Sequence, residues 1–98
     1  MTYIDADSTF SLWKTKYPHT FKTTSKYFWG PECSGEWLPV IEKLLNKIND
    51  YLSTRKEDSS NPFMVDQIKE KFGSLRVYCS GTDKTIDAMI SAAEKERI

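Results

Sequence analysis

Two cysteines and one histidine are the residues of this chain best suited to nucleophilic or metal chemistry. Cys33 sits in the stretch GPECSGEW, just ahead of an amphipathic run. A thiol at a helix N-terminus can have its pKa lowered and become a nucleophile, but Glu32 and Glu36 beside it work the other way. His19 is the single histidine, so a catalytic pair would need it beside Cys33 or Cys79. An inert, buried thiol is the commoner role, and Cys79 falls on the apolar side of a candidate strand. Trp29 and Cys33 together mark the region where a small ligand would be sought. The carboxylate pairs Asp5/Asp7, Glu32/Glu36 and Glu57/Asp58 stand in no constellation specific to hydrolysis. There is no phosphate-cradling glycine loop, no Walker-type lysine and no Gly-x-Ser-x-Gly elbow. Two cysteines and one histidine are too few for a zinc site without help. The residues therefore point away from an enzyme, and the expectation is no catalytic residue, no metal and no cofactor.

A second constellation lies in KEKFGSLRVYCSG, from Lys69 to Gly81. Lys69, Lys71, Arg76 and Tyr78 would form a basic surface carrying one stacking ring, as single-strand binders use. Arg and Tyr are also types that protein interfaces favour. The bland alternative is a solvated hairpin face with lysines guarding its edge.

These residues need elements to position them. DSTFSLWKTKYP predicts a short helix from Asp7 or Ser8, with Phe10, Trp13 and Tyr17 on one face and Pro18 as its stop. TFKTTSKYFWGPECSG reads as loop with an extended segment around Phe21 to Phe28. From Glu36, the spacing of Trp37, Ile41, Leu44, Ile48 and Tyr51 predicts a long amphipathic helix, widened by Leu38, Leu45 and Leu52. Pro39 fits because it falls near the first turn. STRKEDSSNP, residues 53–62, reads as a polar, mobile loop. Residues 62–72 fit either a helix, with Asn61 as cap and Pro62 at its first position, or the first arm of a hairpin. The hairpin accounts for both arms, and is the reading adopted. It places Gly73 and Ser74 in a type II′ turn, pairs Phe72 with Leu75, Glu70 with Val77 and Ile68 with Cys79, and sets Lys69, Lys71, Arg76 and Tyr78 on the opposite face. Glu70 on the apolar face counts against it. A last helix, capped by Thr82 or Asp83, carries Ile86, Met89, Ile90 and Ala93 as its stripe. The expected core is Trp37, Ile41, Leu44, Ile48, Phe72, Leu75, Val77, Ile86 and Ile90.

Ninety-eight residues suit one α+β domain over 1–98: an aromatic N-terminal segment, a long amphipathic helix, a β-hairpin and a C-terminal helix. Lys plus Arg (14) equals Asp plus Glu (14), so no whole-chain field draws in nucleic acid. No apolar run reaches the roughly 18–20 residues of a membrane helix, and MTYIDADSTF lacks the charged-then-apolar order of a secretory leader. A cytoplasmic setting is the default expectation.

Several blocks resemble a family of small proteins from tailed-phage and prophage genomes. The blocks are Lys16-Tyr17-Pro18 followed by Phe21; Trp29, Gly30, Glu32, Cys33 and Trp37; Lys69 to Gly73 with Leu75, Arg76 and Tyr78; and Gly81, Asp83, Ala93 and Glu94. Where that family commonly reads Cys-Gly-Asp-Gly-Trp, this chain has Cys33-Ser34-Gly35-Glu36-Trp37. Many of its members continue into a Cys-x-x-Cys pair, whereas the residues here end at Ile98, so no zinc role is carried over. The resemblance implies a phage setting in the host cytoplasm, not an activity. The leading expectation is a non-enzymatic protein that binds a host or defence-system protein and inhibits an anti-phage defence. Nucleic acid is a lesser candidate partner, and no membrane is involved. The rival expectations are a small enzyme or nucleotide-binding protein using Cys33 and Trp29, and a virion or morphogenesis component.

Overall fold

Each helix starts where the sequence supplies a partner for its free N–H groups or a residue that needs none. The computed structural model describes residues 2–56 and 59–97. Asp5 caps the first helix, α1 (Ala6–Lys16), by accepting from the Ser8 amide at 3.2 Å. A single 3-10 turn (Gly35–Trp37) leads into α2 (Leu38–Thr54), with Pro39 in its first turn, where a missing N–H costs nothing. Asp83 caps α3 (Lys84–Glu94), accepting from Ile86 N at 2.9 Å. Between α2 and α3 runs an antiparallel hairpin of β1 (Met64–Lys71) and β2 (Ser74–Ser80). The α+β class and the order of elements are as expected, and residues 62–72 contain a strand, not a helix.

The hairpin differs in its turn. Lys71 pairs with Ser74, Glu70 with Leu75, Lys69 with Arg76 and Ile68 with Val77. The two turn residues are therefore Phe72 and Gly73, with φ of +53° and +74°. Positive φ at both central positions is the signature of a type I′ turn, whose twist matches that of the strands. Phe72, expected in the core, is 93% exposed at the tip. The pairing is displaced by two residues from the expected one. Because side chains alternate with a period of two, such a slip leaves every residue that stays paired on its expected face, and Phe72, now in the turn, is the one expelled. A bulge at Asp66 then rotates Val65 inward opposite Cys79.

Glu70 does face inward, and the chain meets it there. Glu32 N donates to Ile68 O at 2.8 Å and Glu70 N donates to Glu32 O at 3.2 Å, so the segment around Glu32 runs along the free side of β1. The Glu70 carboxylate accepts from Ser34 N at 3.1 Å. Beyond that, Ile4 N donates to Cys33 O and Gly35 N to Thr2 O, which adds residues 2–4 as an outer rung. On the far side of β2, Val77 N donates to the Glu94 carboxylate of α3 at 2.9 Å.

The buried side chains form one cluster. α2 supplies Ile41, Leu44, Leu45 and Ile48, the hairpin Val65, Ile68, Leu75 and Val77, and α3 Ile86, Ile90 and Ala93. Residues 21–28, expected to include an extended segment, form turns and bends with no strand. Their aromatic rings explain why. Phe10, Phe21 and Phe28 pack with centroids 4.7 to 5.9 Å apart, and Trp13 stacks on Phe21 at 6.2 Å. Burying consecutive parts of a loop against α1 and α2 demands turns, not a straight strand. Asn49 Oδ1 accepts from the amides of His19 and Thr20, and the Thr20 hydroxyl donates to Leu45 O, so polar atoms of α2 hold this loop. α2 also runs through Ser53 and Thr54, two residues into the expected polar loop. Glu57 and Asp58 of that loop, including its carboxylate pair, lie outside the described residues. Among the described residues no helix is long and apolar enough to cross a membrane.

Candidate functional site

The hairpin presents one face to the core and the other to solvent. On the outer face Gln67, Lys71, Arg76 and Tyr78 are exposed and Lys69 is half-buried. Register sets Lys69 directly opposite Arg76 and Gln67 opposite Tyr78. Lys69 Nζ lies 5.5 Å from the centre of the Tyr78 ring, and Lys71 Nζ lies 5.7 Å from that of Phe72. The four residues singled out from sequence are thus brought together, around a turn whose exposed Phe72 sequence reasoning had sent inward. No signal in the facial pattern marked it. Glu70 on an apolar face is a conflict in either register, and it is the Ser34 amide that satisfies its carboxylate there.

Acid groups border this patch. Glu32 shares a bridge with Lys69 and therefore its face. Asp66, in the bulge, accepts a hydrogen bond from the Ser80 hydroxyl at the far end of the strands. Between these limits, Lys69, Lys71 and Arg76 form a cationic area at the turn end of the hairpin.

The Trp29 and Cys33 region is split. Trp29 is 72% exposed, while Cys33 is wholly buried between the Ile4 and Ile68 segments. Burial, and next the Glu70 carboxylate nearby, push the Cys33 thiol up to about 11. That is opposite in direction to an activated helix-terminus thiol. Cys79, half-buried, is pushed up to about 12 by burial and then by Asp66, Asp87 and Glu94. His19 is exposed on the loop and shares no hydrogen bond with either cysteine among the described residues. No group of three or more His, Cys, Asp or Glu among the described residues has metal-binding geometry.

Two grooves lie elsewhere. One, of about 230 Å³, runs between α2 and α3 over Val40, Leu44, Met89 and Ala93, with Lys43 and Lys47 on its rim. The other, of about 240 Å³, lies under His19, Arg55 and Phe63. Neither is lined by Trp29 or Cys33. Comparison with protein family models, curated proteins and solved structures returns no match to this chain.

Proposed function

We propose that this chain is a binding protein whose outer hairpin face docks on a host macromolecule, foremost a protein. The observation that carries the reading is Phe72. A bulky aromatic residue in the left-handed region is unfavourable by roughly 1–2 kcal/mol, and at 93% exposure its ring recovers almost none of this by burial. Asn or Asp would suit the turn better. A residue that harms the isolated fold and projects from it fits a role outside the fold. Arg76 and Tyr78 beside it offer a planar fork of donors and a rigid amphipathic ring, the kinds of group that carry interface energy.

The resemblance to tailed-phage proteins supports a narrower version. In it the chain works in the cytoplasm of an infected bacterium, and its partner belongs to an anti-phage defence that it inhibits. Affinity purification from infected cells identifies the partner, and titration of variants tests the face. Arg76→Ala and Tyr78→Ala should keep the circular dichroism of the wild type and each weaken binding by roughly 1–3 kcal/mol. Undiminished affinity in both variants would reduce the hairpin to a structural element. Co-purification with capsid or tail proteins would replace the defence reading with a virion role.

A further inference from the structure

Three cations with no acid between them make the docking face selective. Lys69 and Lys71 are two residues apart on one strand, so their side chains leave the same face about 6.6 Å apart. Arg76 stands across from Lys69, one strand spacing (about 4.8 Å) away. An extended polypeptide has the same two-residue repeat, so carboxylates at alternate positions of a partner segment match this spacing. We propose that the outer face of the hairpin takes an acidic, extended protein segment, with Lys69, Lys71 and Arg76 pairing its carboxylates and Phe72 and Tyr78 flanking them. This rests on the docking role assigned to the face above.

Charge and ring geometry favour a peptide over a nucleic acid here. The cationic area is closed by Glu32 beside Lys69 on one side and by Asp66 at the end of the strands. A polyanionic backbone running along the strands would meet Asp66, whereas a short acidic segment over Lys69, Lys71 and Arg76 ends before it and has only Glu32 at its side. Three cations would release few counterions, giving a single strand a log–log salt slope of only about −2. The rings on which bases would stack already carry protein ammonium groups, Lys69 on Tyr78 and Lys71 on Phe72. Those contacts hold the two lysines near the turn, which lowers the ordering cost of pairing them with a partner's carboxylates.

The test is an NMR titration of nitrogen-labelled protein with a pentapeptide bearing glutamates at alternate positions and valines between them. At an ionic strength of about 10 mM the Debye length is about 30 Å and the charges act at full reach. The expected result is amide shifts confined to residues 67–78, with the glutamine version of the peptide binding at least roughly tenfold more weakly. Arg76→Glu and, independently, Lys69→Gln should weaken the glutamate peptide while keeping the wild-type amide dispersion. Equal binding of the glutamine peptide, shifts centred elsewhere, or tighter binding of oligo-deoxythymidylate would each overturn the acidic-segment inference. Its failure is separable from that of the docking role. If the peptides fail while Arg76→Ala still weakens the purified partner, the face stands and its partner is not acidic. If Arg76→Ala and Tyr78→Ala leave that partner's affinity unchanged, the docking role itself falls.

Discussion

Phe72 and Cys33 show how far one residue's surroundings can reverse what its type suggests. An aromatic ring at the end of an apolar stripe reads as core, yet the turn places it in water. Replacing it with Asn, which tolerates positive φ, should raise the stability of the isolated protein by about 1 kcal/mol while weakening partner binding. The urea midpoint of Phe72→Asn measures the first effect. A midpoint lower than that of the wild type would mean that the ring is held by the fold after all. Cys33 makes the opposite case. With its thiol pushed up to about 11 and no exposed surface, alkylation by iodoacetamide near neutral pH should be slow until denaturant is added. Fast labelling of the native protein would restore Cys33 as a candidate nucleophile.

At the level of elements, the helices and the existence of the hairpin were legible because periodicity survives uncertainty about ends. Trp37, Ile41, Leu44 and Ile48 repeat at helical spacing, and all four are buried. Leu75 and Val77 were assigned inward for the same reason. The register was not legible, since KFGS admits two turns that differ by one position, shift the pairing by two residues and leave the facial pattern of the strands identical. Local sequence favoured glycine at the first turn position, whereas Phe72 and Gly73 occupy the two turn positions, both with positive φ. The junction of α2 and α3 was also invisible. There Tyr51 Oη at 2.6 Å and Arg55 Nη1 at 3.0 Å both donate to Asp83 Oδ2, while Ile86 N donates to Asp83 Oδ1. The Tyr51 hydroxyl first, then the Ile86 amide and Arg55, hold the Asp83 carboxyl at about 2, below its ordinary 3.8. A lowered folded-state pKa means that the unfolded chain takes up the proton first. This contribution to stability is therefore whole above about pH 5 and is lost as pH falls from about 4 to 2. Asp83→Asn should melt lower than the wild type at neutral pH, and the two melting curves should converge over that acid window. Parallel curves across it would mean that the carboxylate contributes nothing in its charged form.

The whole molecule is closed by residues 20–35, which the sequence reads as loop with an extended segment around Phe21 to Phe28. That segment has no period to read, because its rings are buried from turns, and turns have no repeat. Gly30 shows how tight the closure is. Its φ is +108°, and a Cβ there would lie 2.4 Å from the Ala6 carbonyl oxygen in the first turn of α1. Gly30→Ala should therefore push α1 off the loop and destabilise the protein by roughly 2–4 kcal/mol. Near-ultraviolet circular dichroism should show the loss of aromatic packing around Phe10, Phe21 and Phe28. A variant with unchanged stability would place the strain of that approach elsewhere.

The carboxylate of Glu94 on Val77 N–H has a consequence for how copies of this chain meet one another. β2 lies at the border of its sheet, and a border strand with free amides is a template on which another strand can assemble. The donor at its centre is already taken, by a charged group that repels the carbonyls and carboxylates of an arriving chain. Strand-on-strand growth across Val77, the first step toward fibrils, would have to expel Glu94. A helix end thus doubles as a stopper, and the molecule exposes Phe72 and Tyr78 on its hairpin while the middle of the neighbouring strand edge is occupied.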